Sequence, residues 1–465
     1  MRYILPILLI YLSLLGCERQ QETHLAQVLS AGELVVVTRN SPTTYYEGPQ
    51  GPTGFEYDMV RLFADQLGVR LRIVIADSFA DILPMVSRGE VDLAAAGLTI
   101  TETRKSLVRF GPSYQKITPQ LVYRQGTPRP ADLNDLNGIL EVVKGSSHEE
   151  RLMALRTEYP NLSWKTNDEL DSGELLGLIW EQVIDYTIAD SNEVAISRRF
   201  FPELRVAFDI SDPEPLGWAF AHEPDNSLFN AAREFFARIR QDGTLEQLLE
   251  RHYGHVADFD YVGTRRYLRH IQQRLPRYID LFKAAAERHG LDWRLLAAIG
   301  YQESHWDEHA RSPTGVRGIM MLTLDTMRQL GLDSRLDPAQ SIEGGARYFA
   351  MMKKKIPARI AEPDRTWLAL AAYNIGFGHL EDARILTQRN GGDPDKWVDV
   401  KKYLPLLSQK KWYKQTRHGY ARGREPVRYV ENIRSYYDIL VWYMERDQEP
   451  VLDSPLDLMS DFPSL

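Results

Sequence analysis

Glu303 closes the run Leu295-Leu296-Ala297-Ala298-Ile299-Gly300-Tyr301-Gln302-Glu303, four residues after Ile299 and seven after Leu296. On a helix that spacing puts its carboxyl on the apolar face, where lost hydration favours the neutral form and raises the pKa. A carboxylic acid that keeps its proton near neutral pH is what general-acid cleavage of a glycosidic bond requires. Mid-helix glutamates are more often solvated, so the reading depends on what surrounds this one. His305 and His309, four apart beside Glu303 and Glu308, do not form His-Glu-x-x-His, and the helix is expected to end near Trp306. No metal site is expected there. Gly376-Phe377-Gly378 follows a helical pattern, not a strand, so no phosphate loop and no cofactor are expected either.

The elements that must position Glu303 are legible as apolar periodicity. Residues 277 to 304 are helix-patterned through Ile279, Leu281, Phe282 and Ala286, with a turn at His289-Gly290. Upstream, Leu34 to Thr38 is a β-branched run between Gly32 and Asn40, and Tyr57 to Gly68 has helical spacing at Met59, Leu62, Phe63 and Leu67. Further strands are expected at Leu71 to Ile75, Leu93 to Ala96, Ile139 to Val143 and Tyr186 to Ala189. Strands alternating with helices predict parallel sheets with covering helices, an α/β architecture that binds ligands at strand C-terminal ends.

At 465 residues the chain is longer than one core usually organises. Its charge is split. Residues 265 to 447 carry 32 basic and 22 acidic residues, a net of +10, whereas the remainder has 24 against 42, a net of −18. The basic part suits a polyanionic polymer. Its basic residues are scattered without a recognition-helix, zinc-finger or RNP signature, so nucleic acid is not the expected partner. Lys353-Lys354-Lys355 and Lys410-Lys411 instead suit carboxylate-bearing peptides.

The single cysteine, Cys17, excludes an intramolecular disulfide and thiolate metal clusters. Met1-Arg2-Tyr3 followed by the apolar run Ile4 to Leu15 reads as a secretory signal, too short to span a bilayer. Leu14-Leu15-Gly16-Cys17 resembles the bacterial lipobox, which implies acylation of Cys17 and a lipid anchor. Glu18 follows where an aspartate would signal inner-membrane retention, so the resemblance implies the periplasmic face of the outer membrane.

Two resemblances extend these readings. Gly54-Phe55-Glu56-Tyr57-Asp58, Gly89-Glu90-Val91-Asp92-Leu93 and Ala96 to Arg104 resemble the family-3 amino-acid-binding class of periplasmic solute-binding proteins, over almost all of residues 28 to 258. Gly243-Thr244-Leu245 resembles that family's ending. The resemblance implies a two-lobed clamshell in which Thr99, Arg104 and the amides around Ser147 hold a ligand α-carboxylate and Asp190 receives its α-amino group. A planar guanidinium that stays charged when enclosed suits the first task.

Glu303-Ser304-His305-Trp306, Ser312 to Thr323, Ala371-Ala372-Tyr373-Asn374-Ile375-Gly376 and Glu425 with Tyr429-Val430-Glu431-Asn432-Ile433 resemble, in order, four motifs of the lytic transglycosylases related to goose-type lysozyme. This implies a mainly helical lysozyme-like domain acting on peptidoglycan glycan strands. Glu303 would be acid and then base, Ser304 a hydrogen-bonding partner, Tyr373 a stabiliser of charge at the reacting acetamido group, and Asn374 a support for that loop. Met320 and Met321 would line the site wall and Tyr429 would touch saccharide. Met321 departs from the family, which often has Gln there, and puts the hydrogen-bond network in doubt.

The expected organisation is therefore a signal at 1 to 16, an anchored linker at 17 to 27, a regulatory solute-binding domain at 28 to 258, a transglycosylase domain at 265 to 447 and a disordered acidic tail at 448 to 465. The module order resembles membrane-bound lytic transglycosylases, with an amino-acid or muropeptide ligand for the first domain. A non-catalytic wall-binding sensor and a hydrolytic muramidase are the competing readings. A binder gives no product, and a hydrolase leaves reducing rather than 1,6-anhydro ends.

Overall fold

A computed structural model describes residues 22–48, 51–256, 261–311 and 316–446. The expected signal, Cys17 and the acidic tail lie outside the described residues, as do Ser312 to Gly315 of the second transglycosylase motif.

Residues 22 to 256 form two lobes. In the first, the β-branched run Glu33–Thr38 pairs in parallel with Arg70–Ile75 on one side and Leu93–Ala94 on the other. Ala219–Phe220 and Arg109–Phe110 extend this sheet in antiparallel pairings. Buried Val36, Phe63, Leu93, Trp218 and Phe235 form the core between sheet and helices. In the second lobe Pro119–Arg124 runs antiparallel between Thr187–Asp190 and Leu204–Asp209, and Glu141–Val143 pairs in parallel with Lys165–Asn167.

The expectation of parallel sheets is corrected here, because both lobes are mixed. The chain leaves the first lobe through Gln115–Ile117 and returns through the antiparallel Glu214–Leu216. Ala219–Phe220 therefore re-enters the first sheet from the opposite direction. Element ends differ from the sequence reading by one to three residues: the first long helix is Phe55–Leu67 and the second-lobe strand starts at Glu141.

From Tyr261 to Arg446 the described residues form helices without strands. Ile279–His289 and Trp293–Ser304 are separate helices, with the left-handed turn at Gly290 that the His289-Gly290 signal predicts. They pack with Pro338–Lys355, Asp364–Ile375 and Arg424–Arg446 around one core that contains Phe282, Ile299, Met320, Phe349, Leu368 and Ile433.

The last helix, Arg424–Arg446, docks on both lobes. Arg434 is buried over the Trp367 ring and donates to Glu250 Oε1 at 3.0 Å. Arg199 of the second lobe donates to Asp438 Oδ2 at 3.0 Å, and Phe200 and Phe201 lie 5.2 and 5.7 Å from Trp442.

Candidate active site

The Glu303 helix begins where Asp292 Oδ1 accepts from the Arg294 amide at 2.8 Å, an N-cap. Its buried face runs through Leu296, Ala297, Ile299, Gly300 and Tyr301 to Ser304. It stops because His305 and Trp306 take left-handed φ values of 54° and 56°. The Trp306 indole, 1% exposed, then folds back and donates to the Ala297 carbonyl at 2.8 Å. Glu303 is thereby held in the final turn, partly exposed.

Tyr429, on the Arg424–Arg446 helix, donates its hydroxyl to Glu303 Oε1 at 2.6 Å. Burial of the carboxyl pushes the Glu303 pKa up to about 7, against the opposing effect of the Tyr429 hydrogen bond. Among the described residues no other charged group contributes to that shift. Burial, and then the neighbouring Glu303, push the Tyr373 and Tyr429 hydroxyls well above the usual range, so both remain neutral donors. The two rings lie 6.3 Å apart at 17°, and Tyr348 meets Tyr373 edge-on at 5.2 Å. Tyr373 donates weakly to the Met320 carbonyl at 3.4 Å.

Ser304 is buried and shares its hydroxyl proton between the carbonyls of Ile319, at 2.8 Å, and Gly300, at 3.2 Å. It ties the Glu303 helix to the turn carrying Met320 and Met321. Met320 is corrected from a wall residue to a core residue, with a side chain 0% exposed. It fills the space left by two glycines: a Cβ on Gly300 would sit 3.1 Å from Met320 Sδ, and one on Gly345 would sit 2.5 Å from Met320 Cε. Met321 is partly exposed with a left-handed φ of 45°.

Tyr429, expected to touch saccharide, is 4% exposed and holds the Glu303 carboxyl. Asn374 is exposed at the end of Asp364–Ile375 and makes no side-chain hydrogen bond among the described residues. Tyr348 escaped the sequence reading because none of the four motifs covers it.

In the first module, Thr99, Arg104 and Ser147 meet at the lobe interface, where Ser147 Oγ lies 3.2 Å from Thr99 Oγ1. Arg104, expected to hold a ligand carboxylate, is 1% exposed and holds Glu150 Oε1 at 2.7 Å, the Gly145 carbonyl at 3.0 Å and, more loosely, that of Thr99 at 3.4 Å. The Gly145 amide donates to Glu149 Oε2 at 2.7 Å. Asp190 Oδ1 lies 2.9 Å from His148 Nε2, both buried. Glu149 and Glu150 thus occupy groups expected to meet a ligand, a pairing the sequence reading did not foresee.

Comparison with known proteins adds identity. Residues 34–255 match the family model of bacterial extracellular solute-binding proteins, family 3, and residues 280–395 match the transglycosylase SLT domain. The membrane-bound lytic murein transglycosylase F 1 of Alkalilimnicola ehrlichii is 54% identical over 420 residues, spanning 90% of this chain and 85% of that protein. Membrane-bound lytic murein transglycosylases F of Saccharophagus degradans and Pseudomonas fluorescens are each 51% identical, over 90% and 95% of this chain and 84% and 91% of theirs. A likeness of that level over nearly the whole length of both partners, with both modules matched in order, means that the chain belongs to the membrane-bound lytic murein transglycosylase F family.

Proposed function

We propose that this chain cleaves peptidoglycan between N-acetylmuramic acid and N-acetylglucosamine without water, leaving 1,6-anhydromuramyl ends. The observation that carries the reading is Glu303, partly exposed, held by Tyr429, with a pKa pushed up to about 7 by burial. Half protonated near neutrality, it donates its proton to the bridging oxygen as the C1–O bond breaks. The muramyl acetamido oxygen supports the developing charge at C1. The O6 hydroxyl then closes on C1 and returns its proton to Glu303.

Two-carboxylate glycosidases place a second acid about 5–10 Å from the first. The substrate-assisted route needs only the one carboxyl group that Tyr429 holds, that of Glu303. Tyr373 and Tyr429, both neutral donors, stand beside the Glu303 carboxyl. Glu303→Gln should abolish anhydromuropeptide release from purified peptidoglycan, read by mass spectrometry. Undiminished product would overturn the assignment, and reducing ends would favour a hydrolase.

Residues 28–258 are proposed to sense an amino-acid or muropeptide ligand and residues 265–447 to catalyse. The Arg424–Arg446 helix gives lobe movement a route to the acid, because it carries Tyr429 against Glu303 and Trp442 against Phe200 and Phe201. A ligand shifts activity only by binding one lobe arrangement better than the other. Anchoring through acylated Cys17 at the periplasmic face of the outer membrane is proposed from the lipobox. The membrane-bound names of the relatives support it, and no described helix is long and apolar enough to cross a membrane.

A further inference from the structure

Resting on the reading of the N-terminal module as a solute sensor, the geometry points to a ligand recognised through a side-chain ammonium group, held by Glu193 in an acidic inter-lobe cavity, rather than through its α-carboxylate.

The anion-binding features of the cleft are filled by the chain itself. Glu150 occupies Arg104 and also accepts from Thr101 Oγ1 at 2.9 Å, and Glu149 takes the Gly145 amide. Beside them a cavity of about 550 Å³ opens between the lobes, within the size range of small-molecule sites. Its walls include Asp77, Asp168, Glu169, Asp171, Glu174 and Glu193, and Arg39 is the only basic side chain among its described lining residues. Arg39 is committed: its guanidinium donates to Glu193 Oε1 and to the Ala96 carbonyl.

Glu193 is 5% exposed, and its second oxygen, Oε2, is buried without a hydrogen-bond partner. It also lines the small inner cavity of about 10 Å³ shared with Asp190, Glu56 and Tyr253. Buried carboxylate oxygens are rarely left unpaired, because desolvation is then uncompensated. An ammonium group supplies three donors, one of which can meet Oε2 while Arg39 keeps Oε1. Burial pushes Asp171 up to about 6 against the opposing pull of the Arg39 guanidinium and the Glu174 amide, and Glu193 and Glu174 add smaller upward contributions. Phe200, Phe201 and Trp442 on the same cavity wall add ring faces that attract a cation and accept its methylene stem.

Calorimetric titration of the full-length protein with lysine, cadaverine, norleucine and glutamate tests this. Lysine and cadaverine, which lacks a carboxylate, should bind within a few-fold of one another, and norleucine and glutamate at least tenfold more weakly. Glu193→Gln should weaken lysine binding at least tenfold. Because that variant strands Arg39, Asp171→Asn, which preserves the helix N-cap, serves as the second variant and should weaken it several-fold with an unchanged melting temperature. Norleucine or glutamate binding as tightly as lysine, or lysine binding undiminished in both variants, would overturn the ammonium assignment and leave the sensor reading standing. Binding of none of the four would overturn both.

Discussion

Tyr429 Oη and Glu303 Oε1 are 2.6 Å apart although their residues lie 126 positions apart in sequence, on the Arg424–Arg446 and Trp293–Ser304 helices. The acid's protonation is therefore set from two directions. Loss of hydration raises its pKa, and the hydrogen bond, stronger to the charged carboxylate, lowers it.

Tyr429→Phe removes the lowering contribution alone. The acid role needs the protonated form, so wild-type activity should fall as pH rises through about 7. In Tyr429→Phe that falling limb should move to higher pH, by about one to two units, since a hydrogen bond to a charged group contributes roughly 1.5–3 kcal/mol. The check is the pH profile of kcat/KM on soluble glycan strands. A limb that stays in place or moves down in pH would refute Tyr429 as a positioning residue for the acid.

Glu303→Gln should trade activity for stability in a pH-dependent way. The Glu303 pKa is raised from an ordinary 4.5 to about 7. Its favourable contribution is thus complete below about 4.5 and is lost as pH rises toward and through 7. Glutamine has nothing to ionise. The variant's melting temperature relative to wild type should therefore increase between pH 5 and pH 8, by an amount on the order of 1–3 kcal/mol in stability. Equal differences at the two pH values would contradict a desolvated acid.

The sequence carried the acid because helical spacing and burial are local properties: Leu296, Ile299 and Glu303 lie where the 3.6-residue period puts them. It carried the first-lobe strands for the same reason. It did not carry the direction of Ala219–Phe220, which follows from the double crossing between lobes. Nor did it carry the partner of Arg104. Any carboxylate satisfies a guanidinium, and only closure of one lobe on the other selects Glu150 over a ligand. Met320 was found as a residue but misassigned in role, because a motif names a position and leaves open whether a side chain faces cleft or core.

Met320 also gives a packing prediction. Gly345→Ala would place a methyl 2.5 Å from Met320 Cε, while Gly300→Ala would place one 3.0 Å from Phe282 Cζ and 3.1 Å from Met320 Sδ. Overpacking of this kind costs about 1–3 kcal/mol. Both variants should melt earlier, with Gly345→Ala the worse. Combining either with Met320→Ala should recover part of the loss in a double-mutant cycle. No coupling between the sites would show that the glycines answer to something other than this side chain.

The docking of the two modules hangs on unequal ion pairs, and that inequality is testable. Glu250 and Arg434, both buried, meet at 3.0 Å, and Lys401 adds a second cation to Glu250 at 2.7 Å. Glu246 and Lys402 meet across the same interface at 2.9 Å, but both side chains are about half exposed. Breaking a buried pair from one side leaves an uncompensated charge and costs about 3–5 kcal/mol, whereas an exposed pair contributes about 0–1 kcal/mol. Glu250→Ala should therefore loosen the interface and split the calorimetric unfolding of the full-length protein into two transitions. Glu246→Ala should leave it essentially unchanged. Because the Arg434 helix also carries Tyr429, Glu250→Ala should move the alkaline limb of the activity profile as well, in the same direction as Tyr429→Phe if the helix withdraws from Glu303. Coincident unfolding of both modules in Glu250→Ala would show that apolar contacts such as Phe200 on Trp442 hold the interface without the buried pair.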